Sequence, residues 1–214
     1  MKVFSSWSGG KECALATYKA ISQGHEVLYL LNFVSEDGLR SRSHGIKASV
    51  VALQTEAIGI PLIQVKTSWE NYEENFKKVV RELKNKGIEG GVFGDIDLEE
   101  HREWVERVCS EVGIKAFLPL WGIKAEELIE ELLKLKFKAI IVATRLDETF
   151  LGKVLDKALV RQISKLGSHP CGENGEYHTF VTEGPIFRKA LKITSGKKKK
   201  IDNIWFWEIS AELQ

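Results

Sequence analysis

Ser5 to Ala16 read Ser-Ser-Trp-Ser-Gly-Gly-Lys-Glu-Cys-Ala-Leu-Ala, and this stretch constrains the chain more than any other. A short β-prone run, Lys2 to Ser6, precedes it. A helical pattern follows, with Cys13, Ala16, Ala20 and Ile21 spaced to face a core. Ser8, Gly9 and Gly10 therefore fall where the C-terminal end of a strand turns into a helix. The N–H groups that open a helix lack intrahelical partners and carry partial positive charge, so such a turn attracts anions. Glycines let the backbone approach a phosphate closely, and Lys11 adds a mobile positive charge. The plain alternative is a glycine turn with no ligand.

Spacing narrows the kind of loop. A Walker A loop needs a glycine five residues before the glycine of its Gly-Lys pair, and Ser or Thr after the lysine. Those positions hold Ser5 and Glu12. The dinucleotide fingerprint G-x-G-x-x-G fails as well, because Gly9 and Gly10 are adjacent and Lys11 follows. The string Ser8 to Cys13 instead resembles the SGGxDS loop of the ATP pyrophosphatases, which split ATP into AMP and pyrophosphate while adenylating a substrate.

The rest of the chain alternates. Val27 to Val34 is an apolar run too continuous for a sheet with one wet face. Helical spacing returns over Lys47 to Ile58, stopped by Gly59, and Pro61 opens a strand over Leu62 to Lys66. Ser68 to Lys86 reads as an amphipathic helix, with Trp69, Tyr72, Phe76, Val79, Val80 and Leu83 on its core face. Gly90 to Ile96 reads as a strand, Asp97 as the cap of a helix over Leu98 to Val112, and Lys115 to Leu118 as a further strand. This pattern predicts an α/β fold, a doubly wound parallel sheet of Rossmann-like type, over residues 1–118. A smaller α+β domain is expected over 119–214. It has helices near Ala125 to Lys136 and Lys153 to Lys165, a strand at Ala139 to Ala143, and an antiparallel C-terminal end. Lys197 to Lys200 are expected at a solvated hairpin tip rather than at an RNA surface.

Composition excludes more than it identifies. The net charge of +1 gives no global argument for nucleic acid or a membrane surface. No apolar run is long enough to span a bilayer, and the N-terminus lacks a signal pattern. The three cysteines are far apart and form no C-x-x-C pair, so neither a disulfide framework nor a zinc ribbon is suggested. The chain reads as cytoplasmic.

In an open parallel sheet, ligands bind beyond the C-terminal ends of the strands. Those ends supply Ser8, Gly9 and Gly10, then Asn32, then Gly94 and Asp95. Asp95 has the chemistry to hold a hydroxyl or a magnesium ion, or simply to cap a helix. A second dense stretch runs from His169 to Thr179, with two glycines, two carboxylates, an amide and two histidines. Such a loop positions polar groups around a substrate. Its His169, Cys171 and His178 match no common zinc spacing, so metal ligands stay unassigned. Its carboxylates suit an amine or ammonium.

Together these segments resemble the diphthine–ammonia ligase family, a branch of the N-type ATP pyrophosphatases. Ser8 to Cys13, Gly94-Asp95-Ile96 with His101-Arg102, Pro119-Leu120-Trp121, and Cys171 to Thr179 match in order, spanning nearly the whole chain. The resemblance implies ATP bound at Ser8, Gly9, Gly10, Lys11, Glu12, Cys13, Asn32, Gly94 and Asp95, with Mg²⁺. It implies catalysis by Lys11, Glu173, Asn174 and Glu176, and acceptor contacts from His44, Arg102, Trp121, Gly172 and His178. The implied acceptor is diphthine on elongation factor 2, amidated with ammonium, and a homodimer is kept open. A small-molecule acceptor and a non-catalytic ATP or AMP sensor are the alternatives. The family's loop usually carries Asp-Ser where this chain has Glu12-Cys13. A thiol at a helix start can have a lowered pKa, which makes a reactive Cys13 one expectation and a small half-buried Cys13 the other. The turn Ser43-His44-Gly45 is a further point of departure.

Overall fold

A computed structural model describes residues 1–42 and 44–214. Ser43, in the turn singled out above, lies outside the described residues. The first sheet has five parallel strands in the order β3-β2-β1-β4-β5: β1 (Lys2–Ser6), β2 (Glu26–Val34), β3 (Leu62–Lys66), β4 (Gly90–Val92) and β5 (Lys115–Phe117). Successive side chains of β1 point to opposite faces, so Val3 enters one core and Phe4 the other. Helices α1 (Lys11–Ser22) and α2 (Ala48–Ile58) pack on the Val3 side. Helices α3 (Tyr72–Asn85) and α4 (Glu99–Val112) pack on the Phe4 side, where Phe76, Val80, Leu83, Val105 and Val108 are buried. Both faces are covered, which is why β2 reads as an unbroken apolar run.

The second unit holds α5 (Ala125–Lys134), β6 (Lys138–Thr144), α6 (Lys157–Lys165), β7 (Tyr177–Glu183), β8 (Leu191–Ile201) and β9 (Ile204–Leu213). Its four strands form an antiparallel sheet in the order β7-β6-β9-β8. The apolar core on the Val3 side runs on into this unit, taking in Phe137, Ile141, Phe180 and Ile209. An exposed sheet edge offers unpaired N–H and C=O groups to any passing strand. The edge at β7 is instead occupied by the first unit: Val181 N–H donates to Gly9 O at 2.9 Å, and Lys11 N–H donates to Thr179 Oγ1 at 3.1 Å. The buried amide of Gln54 joins the two, donating to Gly9 O at 3.0 Å and Val181 O at 2.6 Å while accepting from Trp7 Nε1 at 2.9 Å.

Several sequence expectations are corrected. Ile21, in the last turn of α1, and Trp69, ahead of an α3 that begins only at Tyr72, are exposed rather than core-facing. Asp97 does not cap α4, whose N-cap is Leu98; its carboxylate instead meets His169 Nε2 at 3.1 Å. β4 ends at Val92, well short of Ile96. The helix expected from Lys153 begins at Lys157, where Asp156 caps it through Leu159 N–H at 2.7 Å, and Val154 bridges Ile140 of β6 instead. The lysine run is not a hairpin tip. Lys197 to Lys200 pair with Glu208 to Trp205 inside β8, and the turn falls at Asp202 and Asn203. Lysines suit such an edge strand: their charges oppose further pairing, and Lys200 sets its ammonium 5.2 Å from the centre of the Trp205 ring it pairs with. Among the described residues, no helix is long and apolar enough to cross a membrane.

Candidate active site

The loop Trp7 to Gly10 leaves the C-terminal end of the central strand β1 and delivers the N-terminus of α1. Gly9 sits at φ +87°, a backbone region that disfavours side chains. Gly10 is the N-cap and contributes no side chain; Thr179 Oγ1 takes the N–H of Lys11, and the helix start meets the cleft at Glu12 and Cys13. Gly94, at the end of β4, approaches the same turn: a Cβ there would lie 2.9 Å from the Glu12 carbonyl carbon and 3.0 Å from Cys13 N.

Lys11 is not the mobile charge its sequence position suggests. It is buried, donates to Cys171 O at 2.7 Å, pairs with Glu12, and lies 4.7 Å from the centre of the Tyr177 ring. Burial opposes its charge, but Glu12, Tyr177 and Cys171 outweigh that and hold the ammonium above its ordinary range. Glu12 Oε1 is itself buried; it meets Lys11 by charge and lacks hydrogen-bond geometry to any described group. Cys13 is not a reactive thiol. It is buried, donates to Gly10 O at 3.1 Å, accepts from Ser8 Oγ at 3.5 Å, and burial pushes its thiol up.

A cleft of about 260 Å³ opens between this turn and the 169–179 loop. Ser8, Lys11, Glu12, Cys13, Gly94 and Asp95 line it from the first unit, together with His44. Gly172, Glu173 and His178 face them from the second. Burial and the nearby Glu12, Asp97 and Asp95 push the Glu173 carboxyl up to about 8, against the pull of Lys11. His44 and His178 stack with ring centres 4.6 Å apart. Burial and Lys11 hold His44 down to about 4, and burial, His44 and Lys11 hold His178 down to about 3.

The other expected site residues lie outside this cleft. Asn32 is buried in the frame, donating to Trp7 O at 2.8 Å and Ser41 Oγ at 3.1 Å. Glu176 is turned into its own loop, accepting from His169 N–H at 2.7 Å and Asn174 N–H at 3.0 Å, with Asn174 Nδ2 at 3.3 Å. Burial disfavours its charge, yet those N–H groups hold its carboxyl below the ordinary range. Arg102 lies 5.2 Å over the Trp121 ring and pairs with Glu106 at 2.9 Å.

Ser6, His101, Tyr177 and Thr179 also line the cleft; the sequence segments that stood out contain all four, but none was assigned a site role. His101 Nδ1 sits 3.2 Å from Asp95 Oδ1, and that bond raises the imidazole pKa against partial burial. Ser6, Asp95 and His101 also border a second cavity of about 330 Å³ walled by Trp69, Tyr72 and Trp104. The alternation of β7 was the available signal for Thr179; nothing local marked Ser6.

A parallel sheet with a glycine turn and helix N-terminus after its central strand, closed by a carboxylate loop from a second unit, defines a two-unit α/β protein with its cleft at the strand ends. Comparison with known proteins gives the particular lineage: the chain belongs to the diphthamide synthase family, matching its N-terminal domain over residues 1–116 and its C-terminal domain over 124–212. A human protein named diphthine–ammonia ligase is 30% identical, over 92% of this chain and 84% of that protein. The Schizosaccharomyces pombe protein of the same name is also 30% identical, over 91% of this chain but 36% of its own length. A solved chain from Methanocaldococcus jannaschii, described as a predicted subunit of tRNA methyltransferase, overlays with a TM-score of 0.49 at 16% identity, over 86% of this chain and 98% of that one.

Proposed function

We propose that this chain is an ATP-dependent, AMP-forming ligase that adenylates a carboxylate and passes the acyl group to ammonia, with diphthine on elongation factor 2 as the acceptor. The single observation that carries the reading is the cleft itself, where a helix N-terminus and a buried lysine face Glu173 across a gap of molecular size. The name diphthine–ammonia ligase, carried by the human and fission-yeast relatives, supports diphthine as the acceptor. Residues 1–118 form the nucleotide half and 119–214 the acceptor half. An acceptor on a translation factor places the reaction in the cytoplasm.

The departing pyrophosphate gathers negative charge, and groups fixed in advance around it lower that barrier. Ser8 to Cys13 supply the helix N-terminus and Lys11 supplies the cation. The ribose leads past Ser6 and Asp95, and the base stacks in the aromatic cavity against Tyr72 and Trp104. Among the described residues there is no group of three or more His, Cys, Asp or Glu arranged to hold a metal. Asp95, at the cleft wall, is the carboxylate that would help hold a magnesium ion, which usually takes one or two carboxylates together with substrate phosphates. When bound it would neutralise charge on the pyrophosphate.

In the second half-reaction the ammonia lone pair forms a bond to the acyl carbon, and the acyl C–O bond breaks with its electrons leaving on AMP. The proton shed by nitrogen goes to Glu173. A carboxyl poised near the working pH suits that transfer. Purified protein given ATP, Mg²⁺, ammonium and diphthine-bearing elongation factor 2 should release AMP and pyrophosphate and form the amide. Release of ADP, or AMP formation indifferent to the factor, would overturn the reading.

A further inference from the structure

We propose that the stacked pair His44 and His178 is the ammonia-binding subsite of this cleft, accepting hydrogen bonds from a small neutral N–H donor. The inference rests on the amidation reading and assigns residues to its nucleophile.

The first ground is tautomeric. His44 Nδ1 lies 3.1 Å from the backbone carbonyl oxygen of Thr179. A carbonyl oxygen only accepts, so Nδ1 carries the hydrogen and Nε2 is left as a lone pair. His178 makes no side-chain hydrogen bond among the described residues, and a neutral imidazole has one lone-pair nitrogen in either tautomer. Both rings line the cleft. Together the rings present lone-pair acceptors to the cleft, which the carboxylates of Glu12, Asp95 and Glu173 also line.

The second ground is placement. A Cβ on Gly10 would lie 2.5 Å from His44 Cε1 and 3.3 Å from Thr179 O, so the imidazole occupies the space that glycine leaves beside the helix start. His178 precedes Thr179, whose hydroxyl holds Lys11 N–H. The pair thus stands next to the expected phosphate position, in the cleft that Glu173 also lines.

Charge then selects the ligand. Lys11 disfavours a second cation beside the rings, and Arg145 acts the same way on His178, whereas Glu12 opposes them. A phosphate oxygen meets only a repelling lone pair at His44 Nε2. Ammonium has no lone pair to attack with; beside the rings Lys11 and Arg145 oppose it, while the Glu12, Asp95 and Glu173 carboxylates of the cleft attract it. Neutral ammonia donates to the imidazoles and keeps its lone pair for the acyl carbon, with Glu173 in the same cleft to take the proton.

His178→Phe tests this, because phenylalanine keeps a stacked ring and removes the nitrogen lone pairs. The assay uses the full chain with ATP, Mg²⁺, ammonium chloride and diphthine-bearing elongation factor 2. The expected result is a KM for ammonia raised about tenfold, the loss of one neutral hydrogen bond. A circular-dichroism spectrum and urea midpoint like those of the unsubstituted chain certify that the variant folds. For the unsubstituted chain, KM in total ammonium should fall about tenfold per pH unit over roughly pH 6.5 to 8.5, while KM in ammonia stays constant. An unchanged KM for ammonia in a folded His178→Phe overturns the subsite. Absence of AMP release by the unsubstituted chain overturns the amidation reading instead.

Discussion

Lys11 and Glu12 form a buried pair, and removing one partner should cost far more than removing both. Lys11 is 3% exposed, while the Glu12 side chain keeps 20% exposure to the cleft. Breaking a fully buried pair by deleting one charge costs about 3–5 kcal/mol, because the survivor is left without compensation. The residual exposure of Glu12 brings that down to about 2–3 kcal/mol. Loss of the bond to Cys171 O adds about 1 kcal/mol. Lys11→Met should therefore destabilise the chain by about 3–4 kcal/mol, or about 6–16 °C in Tm for a protein of this size. Lys11→Met with Glu12→Gln removes both charges and should recover at least half of that loss. Urea unfolding followed by tryptophan fluorescence measures the stability, and calorimetric titration with ATP measures binding. ATP binding should be lost in both variants, which separates the two roles of the lysine. A cost below about 1 kcal/mol for the single variant, or no recovery in the double, would refute the argument.

Four other outcomes follow from named contacts. His44 and His178 are held down to about 4 and about 3, below their ordinary value, so the unfolded chain takes up those protons first. Their contribution is complete above about pH 6.5 and is lost as pH falls toward 4 and 3; at pH 5 unfolding should cost about 1–2 kcal/mol less per histidine than at pH 8. Gly94→Ala places a methyl against the α1 backbone and should destabilise by about 1–3 kcal/mol while weakening ATP binding; full affinity would show that the turn has slack. Cys13, Cys109 and Cys171 are all buried, and burial pushes the last two thiols up to about 12. The native chain should expose no thiol to a disulfide reagent until denaturant is added. Glu173→Gln should spare ATP binding and abolish amide formation, whereas Glu176→Ala should weaken both, because it releases the loop that anchors Lys11 through Cys171. Equal behaviour of the two variants would contradict the separate placement of their carboxylates.

The parallel sheet was legible because its signals are local. The glycine turn after β1, the unbroken apolar run of β2 and the amphipathic spacing of α3 each follow from a few neighbouring residues. The joining of the two units was not, because periodicity shows which residues turn inward without showing which edge they seal. Nothing near Gln54 announces that its amide will bridge Gly9 and Val181, and nothing near Asp97 announces His169. The lysine run misled for the same reason: a solvated turn and an edge strand are both polar, and only the register against Glu208 and Trp205 separates them.

Glu173 and Glu176 show where that boundary lies inside the site. Three positions apart in one loop, they are indistinguishable as residue types, and both were expected to act on substrate. Their chemistry is divided by the backbone around them. Gly172 and Gly175 take positive φ values of 74° and 79°, which fold the loop back on itself and aim the N–H groups of His169 and Asn174 at Glu176. Those donors stabilise its charge and hold its carboxyl down. Glu173 has no such donors among the described residues and faces Glu12, Asp95 and Asp97, so its carboxyl rises instead. A carboxylate already satisfied by its own loop is a poor proton acceptor, and one left facing other carboxylates is a good one. The assignment of proton transfer to Glu173 therefore follows from the turn geometry of two glycines rather than from the carboxylates themselves.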